Sequence, residues 1–200
     1  MGLLKDVGVI VAADALEKVA DKVDKLGTKL RQPRYEAACN ADMKYMLFAR
    51  QTKKHGYFVS VSDIDGKVEY TIKQENKVLH KPAIYVHDTK KHELARAELI
   101  RNRKRHGYLL YLNGKEFGVI HHYHLPTPSL DVQYNGWKME SGDPDAFWYA
   151  YNKESRTTLR IKLSAEGSNT DIIEFNNPMH TVISLLLYAL IDYRRSLSFK

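Results

Sequence analysis

The chain has 200 residues, of which 44% are hydrophobic and 28% are charged, and its formal net charge at pH 7 is +7. A basic balance favours anionic partners such as nucleic acid, acidic lipid or phosphorylated ligands. The single cysteine, Cys39, excludes an intrachain disulfide and is typical of a reducing, cytoplasmic setting. The apolar pattern predicts neither a signal peptide nor a transmembrane segment.

Residues 1–32 are predicted to form an amphipathic helix. Its apolar residues recur at alternating steps of three and four, from Val9 to Leu30, which is an a/d seam of roughly three heptads. Pro33 disfavours helical geometry at Gln32, so the helix is expected to end there, followed by a linker over residues 33–42. Isolated helices of this length are marginally stable. The seam over residues 9–30 is therefore expected to pair with a second copy of the chain or with a partner helix.

From about residue 43 the apolar period changes to two, which predicts strands with one buried face. Tight-turn signals separate them, and Asp65-Gly66, Asn113-Gly114 and Asn135-Gly136 predict hairpins. Residues 93–101 would also suit a helix in isolation, but we assign them to a strand because a clear strand follows. The region up to residue 175 then contains about twelve strands.

The segment from Met179 to Tyr193 would be apolar on every face as a helix, which is typical of a core or a membrane. It is too short to cross a bilayer, which needs about 20 apolar residues. Twelve antiparallel strands leave two exposed edges unless they close, and a barrel wider than about eight strands has a lumen that its own side chains leave unfilled. We therefore predict a mainly β fold over residues 43–200, a closed antiparallel barrel of about twelve strands around a central helix over residues 179–193.

Two segments of this region resemble the Tubby C-terminal domain-like superfamily, which includes the phospholipid scramblases and the LURP-one-related proteins. They are F-V-S-V-S-D-I-D-G-K-V-E-Y at 58–70 and H-T-V-I-S-L-L-L-Y-A-L-I-D-Y at 180–193. The first resembles the early hairpin of LURP-one-related and bacterial members, and the second resembles their central helix, so the chain is identified as a bacterial-type member. The resemblance covers about residues 43–193. It implies the same barrel and central helix, and the membrane association or phosphoinositide binding of better-known members. The cysteine cluster that carries palmitoylation in scramblases is absent from this sequence.

Several cationic loops are expected to lie at one end of the barrel. In a meander, alternate loops emerge at the same end, while the opposite end would hold the acidic turn Asp63-Ile64-Asp65 and the neutral turn Asn113-Gly114. We call the cationic set the basic rim. It is suited to phosphate groups, although charge runs also occur as solvated loops. The basic rim consists of Lys53, Lys54, His55, Lys81, Arg101, Arg103, Lys104, Arg105 and His106.

Other chemistry-bearing residues do not form recognisable sites. His122 and His124 share a strand face but lack the third ligand of a zinc site, and Cys39 has no nucleophile motif around it. Asp63 and Asp65 lack the spaced ligands of a calcium loop. Aromatic residues between 134 and 151 could stack nucleic-acid bases, but alternation places about half of them in the core. We predict no catalytic residues, no metal site and no cofactor.

The function predicted from the sequence is a non-enzymatic, membrane-associated binding or adaptor module. It would recognise anionic lipid headgroups or other phosphorylated ligands through the basic rim, in the cytoplasm and at the membrane periphery. A nucleic-acid-binding protein that uses the same charge is the first alternative. An enzyme or small-ligand carrier that uses a residual barrel cavity is the second.

Overall fold

The structure is a computed structural model that describes residues 32–51, 57–75, 83–102, 105–123, 129–132, 134–143, 146–164 and 170–198. The chain divides into two compact units, residues 1–40 and residues 41–200.

In the first unit, residues 32–39 form a helix, α1. The Gln32 side chain donates to the Glu36 carboxylate over 2.9 Å, and the backbone and side chain of Asn40 both donate to the Glu36 carbonyl at the end of the helix. The predicted linker over residues 33–42 is therefore wrong at residues 33–39, which are helical. Pro33 biases Gln32 away from helical geometry without forbidding it. The heptad seam over residues 9–30 lies outside the described residues.

The second unit contains twelve strands followed by a helix. The strands are β1 (Tyr45–Gln51), β2 (Phe58–Ser62), β3 (Val68–Glu75), β4 (Ala83–Asp88), β5 (Glu93–Asn102), β6 (Arg105–Leu112), β7 (Lys115–Tyr123), β8 (Ser129–Val132), β9 (Lys138–Asp143), β10 (Phe147–Tyr151), β11 (Thr157–Lys162) and β12 (Thr170–Phe175). β5 confirms the assignment of residues 93–101 to a strand. Asn113-Gly114 and Asn135-Gly136 have positive φ at both residues, as tight hairpin turns require.

Each strand pairs antiparallel with its neighbours in the chain, and β1 also pairs with β12. Tyr45 lies opposite Phe175 at one end of the β1–β12 ladder, and Arg50 lies opposite Thr170 at the other. Because β1 pairs with β2 along its other edge, the ladder returns to its starting strand and forms a barrel. Closure satisfies backbone groups that a sheet edge would leave unpaired.

The C-terminal helix α2 spans Thr181–Ser198, after a 3₁₀ turn over Pro178–His180. The Asn177 side chain caps this turn by accepting the Met179 N–H, and Pro178 occupies the first position, where its missing N–H costs nothing. The helix therefore begins two residues later than predicted and ends five residues further on.

Residues 183–192 of α2 are buried without interruption, so every face of the helix is covered. The strands supply the other half of this core through inward-facing side chains such as Ile72, Leu110 and Ile161. The prediction of a mainly β unit with a buried apolar C-terminal helix is confirmed. Among the described residues, no helix is long and apolar enough to cross a membrane.

Removing the core contribution of α2 is expected to destroy solubility. Leu186 is completely buried, so Leu186→Ala should lower the free energy of unfolding by about 2–5 kcal/mol. Leu186→Asp, or truncation after Asn177, should give insoluble protein. Met179→Asp is the matched control because Met179 is exposed just before the helix, and it should change stability by less than about 0.5 kcal/mol. A truncated protein that stays soluble and melts cooperatively would contradict this role of α2.

Candidate functional site at the loop end

Alternate connections between the antiparallel strands lie at the same end of the barrel. We call the two ends the loop end and the turn end. The loop end receives the connections over residues 52–57, 76–82, 103–104, 124–128, 144–146 and 163–169. The turn end receives those over residues 63–67, 89–92, 113–114, 133–137 and 152–156.

The pairing supports the meander on which the basic rim depends. The ends of β1, β3 and β5 at Gln51, Glu75 and Asn102 all lie at the loop end. In the β5–β6 hairpin, the backbone of Arg101 lies opposite His106, and Asn102 lies opposite Arg105. The other rim residues, Lys53, Lys54, His55, Lys81, Arg103 and Lys104, lie outside the described residues. The grouping of the rim side chains therefore stays a prediction.

The turn end is less acidic than the sequence interpretation expected. Its connections contain five Lys or Arg residues and three Asp or Glu residues. The loop-end connections contain six Lys or Arg residues and two Asp or Glu residues. The difference arises because the barrel brings Lys90-Lys91 and Lys153–Arg156 to the same end as Asp63 and Asp65. The loop end is the more cationic of the two by a net charge of +4 against +2 in these segments.

The calcium and metal interpretations gain no support from the structure. The Asp63 carboxylate accepts the backbone N–H groups of Asp65 and Lys67 over 3.0 and 2.9 Å, so it closes an ordinary turn. Part-buried His121 lies on β7 opposite Gly107. Within the described part of the chain, no group of three or more His, Cys, Asp or Glu side chains could hold a metal ion.

Beneath the loop end lies a buried polar group, the Tyr–Asp cluster, formed by Tyr57, Asp171, Tyr188 and Asp192. The Tyr188 hydroxyl donates to one Asp171 carboxylate oxygen over 2.9 Å, and the Ser164 N–H donates to the other over 2.6 Å. The Tyr57 hydroxyl donates to the Ala189 carbonyl over 3.3 Å. The cluster lies at the loop end because Asp171 is near the start of β12 and Tyr57 immediately precedes β2.

The protonation state of Tyr188 in the Tyr–Asp cluster favours a lasting hydrogen bond between α2 and β12. Burial raises the pKa of the Tyr188 hydroxyl well above its ordinary value, and Tyr57, Asp192 and Asp171 raise it further. Tyr188 therefore remains a neutral donor to Asp171 at physiological pH. The sequence analysis missed this cluster. Asp192, a carboxylate within an otherwise apolar helix, was the one signal that could have indicated it.

A second set of polar contacts lies on the outward side of β9–β12. The Arg160 guanidinium donates to Glu174 over 2.5 Å, and the Lys162 ammonium lies 3.0 Å from the same carboxylate. Burial alone would raise the pKa of Glu174, but the hydrogen bonds from Arg160 and Lys162 outweigh it and lower that pKa. The pairing joins β11 to β12, since Arg160 and Glu174 are directly opposed.

Four of the aromatic residues considered for base stacking are buried in the structure. Trp137 and Trp148 belong to the apolar core. The hydroxyls of Tyr149 and Tyr151 donate to the Glu140 carboxylate over 3.0 and 2.7 Å, and both rings are buried. None of these four rings is exposed for stacking on a base.

Two histidines are held in environments that disfavour their charged form. His87 stacks on Tyr85 with ring centroids 5.9 Å apart, and burial, followed by the charge of Lys73, lowers its pKa. His180 packs 4.8 Å from Trp137, and burial lowers its pKa. Both side chains therefore favour the neutral form when the chain is folded.

Comparison with known proteins gives a likeness of fold. No model of a protein family matches the chain, and no curated protein matches it. Among solved structures, the chain is similar to the X-ray structure of a protein from Arabidopsis thaliana, with 11% sequence identity and a TM-score of 0.54. The match covers 76% of this chain and 92% of that one. The two proteins share a fold. At this level of identity, the similarity assigns no family, ligand or activity.

The Tyr188–Asp171 hydrogen bond is expected to stabilise the folded chain measurably. Tyr188→Phe removes a donor from a buried carboxylate and should lower the free energy of unfolding by about 1.5–3 kcal/mol. Tyr45→Phe provides the control because Tyr45 is exposed at the turn end; its effect should be within about 0.5 kcal/mol. Urea unfolding of both variants measures the difference. Equal stabilities would show that the hydrogen bond contributes nothing.

Buried His87 and partly buried His180 predict a loss of stability on mild acidification. Their folded-state pKa values are lowered, so the unfolded chain binds more protons as the pH falls through about 6.5. Stability should be full above about pH 6.5 and should decline below it. His87→Phe, which keeps a ring against Tyr85, should flatten this decline in melting temperatures measured between about pH 7.5 and 5.5. An unchanged slope in the variant would contradict the assignment to His87.

Proposed function

We propose that the protein is a non-enzymatic binding module that recognises anionic lipid headgroups or other phosphorylated ligands through the basic rim. The observation that carries the proposal is the common end of the β1–β2, β3–β4 and β5–β6 connections. These segments and their flanking strand ends contain the whole basic rim. With neighbouring strands about 4.8 Å apart, the three connections follow an arc of roughly 24 Å along the rim of the barrel.

The Tyr–Asp cluster supports a surface site at the loop end. It joins α2 to β12 and to the residue before β2, so the strand ends beneath the connections are tied to the core. Because the buried side chains of α2 occupy the barrel interior, we favour a site on the rim over a ligand inside the barrel. A fixed base lowers the entropic cost of presenting several cations together.

The proposal extends to family and location. The chain would be a distant, bacterial-type member of the Tubby-like superfamily, as the segments 58–70 and 180–193 suggest. It would lie in the cytoplasm and at the membrane periphery, where a cationic surface is attracted to anionic headgroups. Protonation of His55 and His106 below about pH 6.5 would add charge to the rim and strengthen the attraction.

Charge reversal at the rim is expected to abolish binding to anionic vesicles. Each Lys or Arg near such a membrane contributes about 1 kcal/mol, so changing Arg103, Lys104 and Arg105 together to Glu should weaken binding by at least about 100-fold. The measurement is co-sedimentation with vesicles of phosphatidylcholine containing phosphatidylserine or a phosphoinositide, at low and at physiological salt. Inorganic phosphate and an inositol phosphate, added as competitors, separate a membrane from a free phosphorylated ligand.

The control changes three turn-end lysines, Lys90, Lys115 and Lys138, to Glu. These side chains are exposed, so the control alters net charge equally while leaving the rim intact. It should weaken vesicle binding by less than about threefold if the rim provides the contact. Equal losses in the two variants would mean that overall charge alone attracts the protein. Retention on oligonucleotides with no vesicle binding would favour the nucleic-acid alternative.

A further inference from the structure

Helix α2 continues past the core at the loop end. Its uninterrupted burial ends at Asp192, but the helix itself runs to Ser198. The part-buried ring of Tyr193 packs edge-to-face against Tyr57, with ring centroids 5.4 Å apart. Tyr57 precedes β2, and its carbonyl accepts the N–H of Gln74 near the end of β3. Tyr193 therefore marks the level at which the helix passes the strand ends.

The next two residues of α2 are Arg194 and Arg195, which we call the arginine pair. At a rise of about 1.5 Å per residue, the helix extends about 7.5 Å from Tyr193 to Ser198. The arginine pair therefore lies inside the ring of loop-end connections and adds two positive charges to their net charge of +4. The predicted helix ends at residue 193, which is why the sequence analysis leaves this pair out of the basic rim.

The arginine pair and the basic rim are close enough to share a ligand. Twelve strands about 4.8 Å apart form a ring with a radius of at least about 9 Å. The helix backbone occupies about 2.3 Å of that radius. The remaining gap is comparable with the length of Lys and Arg side chains, so cations on the helix and on the rim can approach the same phosphate group.

Without the arginine pair, the centre of the loop end would be acidic. Asp171 and Asp192 are buried there. Burial is the first cause of the raised pKa of the Tyr188 hydroxyl, and the negative charges of Asp192 and Asp171 raise that pKa further. The C-terminal end of a helix adds about half a negative charge. A phosphate group attracted to the rim would meet this field at the centre of the ring, and two guanidinium groups at the helix end offset it.

We propose that the arginine pair belongs to the anion-binding surface at the loop end and contacts the same phosphate-bearing ligand as the basic rim. Because the ligand is shared with the rim, this proposal rests on the proposed function. The guanidinium group is suited to the contact because it presents two parallel N–H donors to phosphate oxygens. The ligand is then bound from the rim on one side and from the centre of the ring on the other.

The test measures two probes on the full chain. One is co-sedimentation with phosphatidylcholine vesicles that contain a phosphoinositide, and the other is titration calorimetry with free inositol trisphosphate. Arg194→Gln combined with Arg195→Gln should weaken binding by at least about 30-fold, because two cations are lost and the buried carboxylates are no longer offset. Arg194→Lys combined with Arg195→Lys keeps the charge and should bind within about fivefold of the unmodified protein.

The matched control is Lys153→Gln combined with Arg156→Gln, which removes two exposed cations at the turn end. It should weaken binding by less than about threefold, since those charges are far from the ligand and are screened by salt. Equal losses in the control and in the arginine-pair variant would overturn the proposal, because net charge alone would then explain binding.

Thermal melting separates binding from stability, since cations near a helix C-terminus also stabilise the helix. A Gln variant that melts at a lower temperature and binds as the unmodified protein does would show that the pair only stabilises α2, and would overturn the proposal. The single changes Arg194→Gln and Arg195→Gln, each expected to weaken binding about fivefold, keep the comparison valid where the double variant melts below the assay temperature.

The outcomes distinguish this proposal from the proposed function. Lost binding in the rim variant of Arg103, Lys104 and Arg105, with full binding in the arginine-pair variant, would keep the proposed function and overturn the role of the pair. The reverse result would support the arginine pair and overturn the role of the rim. Weaker binding of both probes identifies a free phosphorylated ligand as sufficient, and weaker binding of vesicles alone identifies a lipid headgroup in its membrane; either result supports the pair. No binding of either probe by the unmodified protein would overturn both proposals.

Discussion

The filling of the barrel interior is the constraint on which the structure depends. A ring of twelve strands is too wide for its own inward side chains to meet, and an empty interior would forfeit most of the apolar burial that stabilises a fold. Helix α2 supplies the missing volume, with uninterrupted burial from Ile183 to Asp192. The strands in turn cover every face of a helix that could not remain exposed to water. Neither part has a stable apolar surface without the other, so the second unit is a single cooperative structure.

Apolar contacts are not directional, so they define the depth and rotation of an apolar helix inside an apolar barrel only weakly. Hydrogen bonds define that position here, because they are lost when the helix slides by one residue. Tyr188 donates to Asp171 on β12, and Ala189 accepts from Tyr57 before β2. Both contacts lie near the loop end, whereas His180 and its aromatic neighbours Tyr134 and Trp137 hold the opposite end of the helix. These contacts therefore fix α2 relative to the strands at both ends of the barrel.

The elements whose identity depends on local pattern were predictable from the sequence. The hairpin turns at Asn113-Gly114 and Asn135-Gly136 lie where the sequence predicts them, because residues that tolerate positive φ separate segments with an apolar period of two. The helical conformation of residues 33–39 was not predictable, since the hydrogen bonds to Glu36 that accompany it depend on side-chain geometry that no sequence pattern shows. The Tyr–Asp cluster could not be predicted from the sequence for another reason. Tyr57 and Ala189 are 132 residues apart, and only the closed topology brings them together. The charge of the turn end was misjudged because Lys90-Lys91 and Lys153–Arg156 reach it only through the strand order.

The position of α2 after all twelve strands has a consequence for how the chain matures. Synthesis delivers the strands from β1 onward, each with an apolar side that has no permanent partner until the helix leaves the ribosome. The β1–β12 pairing also forms late, because nearly the whole unit separates these two strands in the sequence. Folding that depends on such distant contacts is slow relative to local hairpin formation. The nascent chain therefore passes through a period in which paired hairpins display uncovered apolar faces. We expect protection by chaperones during translation to matter more for this protein than for one whose core is made first.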